Sequence, residues 1–476
     1  MTAPSAPPPV QVSPPDLPVR RDAVRRRLCW ILILLACGWI VFNGMVERAH
    51  PEASDRSSTT ILSLQCRVLL SAAATQPEAA LEQFRTLEKS VTGPSGARAL
   101  ACVYAFLSSD EARASAHNLL NEHPPEAGDE DGIALHTVVR QAIDEPASLE
   151  SADRETLQED LGWFGEVLLA ASLEPEDPAR QVFYQNSSIL TVIFVTAFLV
   201  ALLAGIAGLT LLIVALVQRR SGRFTTHFQP GTTADTVYLE AFTVYLTLVC
   251  VAQVLVYSLT SGAEPSLEAG LAAMLLPCLL GVFWPVIRGR GLRDSLRGLG
   301  FHRGQGVFRE IGCGLVGYLS VLPLVVLGLL LVLLLSSLRQ GALWIIGQFR
   351  EDAPTPTEVT MSHPVIEWIA DGNILTVLQV YFLAAVFAPL FEELLFRGAL
   401  FRGLRSRHRV LAAGLLTGFV FAVIHPQGLL AVPMLMALGF GFGLLREWRD
   451  SLIAPMTGHA LHNAALVTLM WIAFSS

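Results

Sequence analysis

A chain of 476 residues that is 52% hydrophobic and 16% charged, with a mean hydropathy of +0.51, is too apolar for an ordinary water-soluble protein of its size. The formal net charge of −8 bears on solubility, not on fold. Runs of about 18 apolar residues can cross a hydrocarbon core as helices, and the expected fold class is therefore an all-α polytopic membrane protein with nine spans and one helical insert.

In chain order, residues 1–27 begin Pro-rich (MTAPSAPPPVQVSPPDLPV) and turn basic (VRRDAVRRR), which predicts a disordered cytoplasmic tail. Residues 28–46 form the first apolar run. A cleaved signal peptide is the alternative, disfavoured because the run is long and no A-x-A-like site follows it. Residues 47–187 form an insert predicted to lie outside the membrane; within 48–186 there are 23 acidic and 10 basic side chains. Its segments SLQCRVLLSAAA, PEAALEQFRTLEKSV, RALACVYAFL and ETLQEDLGWFGEVLLAASL place apolar residues three and four apart, whereas TGPSG and NEHPPEAGDEDG read as breaks. That pattern predicts a small all-helical domain. Stacked helical hairpins are a second reading of it, without a consensus repeat. Cys66 and Cys102 fall in this region, where a disulfide could persist, although two cysteines alone do not establish one.

The second span and a cytoplasmic loop occupy 188–236, and residues 237–476 hold the remaining spans, near 237–260, 267–287, 311–335, 374–395, 410–424, 429–445 and 452–474. Pro426 and Pro433 blur the limits of the seventh and eighth. The basic segments VRRDAVRRR, QRRSGR, RGRGLRDSLRGLGFHR, FRGLRSRHR and REWRD all fall on one side of this arrangement. Retention of Lys and Arg in short cytoplasmic loops then puts the N-terminus inside, in a plasma (inner) membrane, and the insert outside.

Charged side chains at membrane depth cost a few kcal/mol each and persist mainly where they face protein or a polar cavity. Among the few ionisable or amide groups of the last four spans are Glu392, Glu393, His425, His459, His462 and Asn463, with Arg397 nearer one surface. A rise of about 1.5 Å per residue places Glu392, His425, His459 and Asn463 roughly 15, 24, 14 and 20 Å from the inner edge. Three spans thus deliver polar groups to one broad layer.

Spacing gives provisional roles. Glu393 and Arg397 are four apart and can pair on one helical face. Glu392, rotated about 100° from Glu393, is the unpaired carboxylate, suited to act as general base with an imidazole holding the water. His459 and Asn463, also four apart, could donate to an oxyanion as neutral imidazole and carboxamide. Phe421 and His425 repeat the spacing, and Pro426 should end or kink their helix. The duller readings are a structural ion pair for Glu393 and Arg397, and helix-tying hydrogen bonds for each His and for Asn463. His462 is either a neighbour of the site or turned toward another helix.

The segments EELLFR (Glu392, Glu393, Arg397), FAVIH (Phe421, His425) and HALHN (His459, Asn463) resemble, in order, the EExxxR, FxxxH and HxxxN motifs of the CAAX prenyl endopeptidase and bacteriocin-processing family, CPBP or ABI. The resemblance covers the chain from about residue 237, with the motifs confined to 392–463; the tail, the first two spans and the insert inherit nothing. It implies an intramembrane glutamate-type endopeptidase in which Glu392 and His425 activate water, His459 and Asn463 stabilise the oxyanion, and Glu393, Arg397 and Phe421 support the site.

No cofactor is expected. Three such side chains could bind zinc in principle, but the H-E-x-x-H pairing is missing, so the metal-free mechanism is favoured. A serine protease is disfavoured because the one G-x-S-G lies in the insert, and an aspartyl protease because no span holds an Asp. The expected partners are a protein or peptide substrate, the lipid bilayer and an unidentified partner of the insert, with no nucleic acid. A membrane scaffold or immunity-type protein, and a transporter, are the non-peptidase alternatives.

Overall fold

The computed structural model describes residues 17–47, 51–89, 91, 93–229, 236–259, 267–349, 364–370 and 372–475. Most of these residues are helical, with no strand among them. The Pro-rich start of the tail lies outside the described residues. Its basic end does not: the first helix, Leu17–Glu47, begins well before the first apolar run. This corrects the expected disordered stretch over 17–27, and the reason is local. Pro18 sits in the first turn, where it is tolerated, and the Arg-rich remainder contains no helix breaker.

In the insert, sequence signals set the helix starts. Pro77, Pro94 and Pro178 stand at first-turn positions. Ser109 accepts from the Ala112 N–H, Asp129 from Gly132 and Asp177 from Ala179, and Glu150 and Asp153 form a reciprocal capping box. Each satisfies amides that a helix N-terminus leaves orphaned. Helix Pro94–Leu107 is buried on all sides over 97–104, and Leu70, Phe84, Leu120, Val139 and Val167 pack with it in one core. Cys66 and Cys102 are buried there as free thiols, so the disulfide is not formed. Cys102 donates its S–H to the Arg98 carbonyl at 3.1 Å, and burial pushes its pKa up to about 12.

Polarity changes at 187/188, but the helix does not break there. Pro178–Arg220 is one helix of 43 residues, about 65 Å long, which leaves the insert and runs on through the apolar stretch. Seven described helices are long and apolar enough to cross a membrane: Asp22–Met45, Pro178–Arg220, Thr236–Leu259, Ala269–Ile287, Val307–Gly347, Ile374–Arg405 and Leu429–Arg449. The other two expected spans are helices Val410–Val423, with 14 residues, and Ile453–Ser475, with 23. The first spans only about 21 Å, and the second is long enough but diluted by His459, His462, Asn463 and neighbouring small polar residues.

Glycines set how closely the site-bearing helices cross. Gly414 and Gly418 on one helix face Gly443 and Gly439 on the next, and a Cβ at Gly439 would lie 2.8 Å from the Gly418 Cα. This is small-residue packing of the kind that joins helices where the hydrophobic effect cannot. On the other side, Gly458 abuts Tyr318, and Gly314 abuts the Ala454 carbonyl. At one end of the bundle the basic segments meet. Arg405 forks onto Glu447 with two 2.8 Å bonds, Arg449 onto Glu310 at 2.7 and 2.9 Å, and Ser451 donates to the His302 carbonyl. The segment leaving helix Pro178–Arg220 is tied to the same place, its Phe228 and His227 N–H groups donating to the carbonyls of Glu447 and Trp448.

Candidate active site

The helix Ile374–Arg405 is not a uniform α-helix. Its ladder slips to π-type spacing over Leu383–Phe387, returns over Ala388–Glu392, and slips again over Glu393–Leu400. Such slips are rare and recur at functional sites. Here they bracket Glu392 and change the side-chain rotation on either side of it.

Glu393 and Arg397 pair as their spacing predicts, at 2.8 Å, with both side chains fully buried. The Arg397 guanidinium also donates to the Gly439 carbonyl at 3.0 Å. It lies 4.7 Å from the Phe421 ring centroid, 5.3 Å from Phe442 and 5.8 Å from Phe396. The cation is thus held by a carboxylate, a carbonyl and three aromatic rings. Glu393 Oε1 additionally receives His459 Nδ1 at 2.9 Å. An ionised carboxylate only accepts, so Nδ1 carries the proton and Nε2 of His459 points away from Glu393.

Glu392 differs in every respect. Its side chain is 25% exposed, against 0% for Glu393. Its Oε2 atom lies 3.9 Å from His425 Nε2 and 3.8 Å from His459 Nε2. Both separations exceed a direct hydrogen bond, and Oε2 has no protein partner. His425 stands just beyond helix Val410–Val423, which ends before Pro426 as the missing amide requires. Its Nδ1 faces the Phe421 carbonyl at 2.5 Å, and its ring packs on Phe421 with centroids 4.1 Å apart. Donation from Nδ1 to a carbonyl leaves Nε2 as the lone-pair nitrogen directed at Glu392.

Glu392, Glu393, Arg397, Phe421, His425 and His459 therefore converge. Asn463 lies four residues beyond His459 and donates its side-chain N–H to the Ala384 carbonyl at 2.7 Å. His462 turns away: its Nδ1 is 3.0 Å from the Tyr318 hydroxyl on helix Val307–Gly347. Sequence reasoning missed Phe442, which stacks on His459 with centroids 5.3 Å apart and planes at 27°, and it missed the Gly439 carbonyl. The only signal for either was the run GFGFG at 439–443, aromatic residues among glycines that permit close packing. Among the described residues, no group of three or more His, Cys, Asp or Glu side chains is spaced to hold a metal ion.

An open apolar recess of about 420 Å³ is lined by Leu271, Leu275, Phe382, Phe387, Leu390 and Phe391, among others.

The fold and site define a polytopic all-α membrane protein with a buried cluster of carboxylates, imidazoles and a guanidinium. Residues 374–465 match the family model described as Rce1-like, type II CAAX prenyl endopeptidase Rce1-like, a stretch that contains every motif residue of the CPBP resemblance. No curated protein and no solved structure matches the chain.

Proposed function

We propose that the chain is an intramembrane endopeptidase that hydrolyses peptide bonds with a water activated by Glu392 and His425. The observation that carries this reading is the approach of one carboxylate oxygen, Glu392 Oε2, to two imidazole Nε2 atoms at 3.8–3.9 Å. A water held between Glu392 and His425 donates one hydrogen to Oε2 and the other to His425 Nε2, which turns its lone pair toward a substrate carbonyl. Attack transfers the water proton to Glu392, and Glu392 passes it to the departing amine.

His459 and Asn463 receive the charge that develops on the carbonyl oxygen. Because Nδ1 of His459 is committed to Glu393, its Nε2 donates only from the doubly protonated ring. Asn463 keeps a second N–H beyond the one given to Ala384. The reading needs no metal.

The family match favours a prenylated CAAX-type protein as substrate over a small unmodified peptide. The basic end of the bundle supports a cytoplasmic location for that end, in an inner membrane with the insert outside. The test is terminal-fragment proteomics of membranes containing the wild type or Glu392→Ala, with a prenylated peptide as defined substrate. New termini that vanish in a folded, inserted variant support the peptidase. Identical termini in both would instead favour a scaffold.

A further inference from the structure

Pro389 lies three residues before Glu392, touches no reacting group, and has no part in the chemistry above. We infer that it is a positioning residue for the proposed peptidase, acting by withholding a backbone N–H so that the Ala384 carbonyl is left for Asn463.

In an α-helix the Ala384 carbonyl would accept from the Ala388 N–H. Here that N–H bonds to the carbonyl of Leu383, five residues back. In the slipped register, the amide due to Ala384 belongs to residue 389, which is proline and has none. The Ala384 carbonyl is therefore orphaned by the chain's own sequence. Asn463 fills the gap at 2.7 Å. The bond fixes the carboxamide plane and aims its second N–H from the face of the helix that carries His459. One missing backbone hydrogen on one helix thus orients a side chain on another.

The inference rests on the peptidase reading, and its test separates the two. Pro389→Ala restores the N–H. Lactic acid at 389, introduced by nonsense suppression as a backbone ester, has the alanine side chain without the N–H. On a peptide substrate, Pro389→Ala lowers kcat about tenfold or more with KM within about twofold, since small misplacements of a catalytic group cost up to about 10². The ester recovers kcat to within about threefold of wild type. Asn463→Ala lowers kcat by about 10²–10³, and adding Pro389→Ala to it lowers kcat no further. Equal behaviour of alanine and ester, or additive losses in the double variant, overturns the inference. A readout independent of turnover is the ¹³C-carbonyl resonance of Ala384. It moves on Asn463→Ala when residue 389 is proline or the ester, and stays within error when it is alanine. Were wild type to cleave nothing, the peptidase reading would fail while this resonance still decided the role of Pro389.

Discussion

Replacing Arg397 by Met removes a fully buried cation while keeping most of its apolar stem. Two charge-assisted bonds disappear, to Glu393 at 2.8 Å and to the Gly439 carbonyl at 3.0 Å, each worth about 1.5–3 kcal/mol. Glu393 is left as an uncompensated charge with 0% exposure. Breaking a buried pair from one side costs about 3–5 kcal/mol, the same range. The second arm is Glu393→Leu with Arg397→Met. An apolar replacement of both partners is often close to neutral, so the double variant should be no less stable than Arg397→Met alone, a coupling of about 2 kcal/mol or more. It should nevertheless be inactive, because His459 loses its Nδ1 partner. Unfolding by SDS titration in mixed micelles reads the stabilities, and peptide cleavage reads the site. A single variant within about 1 kcal/mol of wild type, or strictly additive losses, would refute the account of Arg397 as the counter-charge of the cluster.

Other expectations concern packing, metal and thiols. Gly439→Val forces a side chain toward the Gly418 backbone, 2.8 Å from where its Cβ would sit, and should cost at least the 1–3 kcal/mol typical of overpacking (about that range). Gly341→Val, with open space around it, is the control and should leave the unfolding midpoint unchanged. Phe442→Leu keeps the fold but removes the ring stacked on His459, and should reduce kcat more than it raises KM in steady-state cleavage assays. Incubation with 1,10-phenanthroline should leave cleavage intact; loss restored by zinc would overturn the metal-free chemistry and preserve hydrolysis. Cys102, raised by burial to about 12, stays protonated at pH 8 and should resist maleimide in native protein, labelling only after denaturation, as mass spectrometry would show.

Where the governing interaction was local, the sequence was sufficient. Apolar run length identified most spans, and four-residue spacing identified the Glu393–Arg397 pair. The stop at Pro426 follows from a missing amide. Features that depend on two distant segments were hidden. Phe442 and the Gly439 carbonyl enter the site only because glycines let two helices touch. His462 pairs with Tyr318 across 144 positions of sequence, which no periodicity reveals. The slips around Glu392 were invisible for a related reason: Pro389 announces a lost bond, but only the fold supplies Asn463 as the replacement. At the edge of the insert, polarity changes at 187/188 while the helical ladder runs on.

That unbroken ladder has a mechanical consequence. Helix Pro178–Arg220 is a rod anchored in the insert at one end and seated by Gly208 against Leu319 and Pro323 of helix Val307–Gly347. About the Gly208 contact, roughly 45 Å from Pro178, each degree of tilt would carry the insert end by roughly 0.8 Å. That contact adjoins Tyr318, the partner of His462, three residues from His459. A tilt of the insert would therefore act one helix away from the imidazoles.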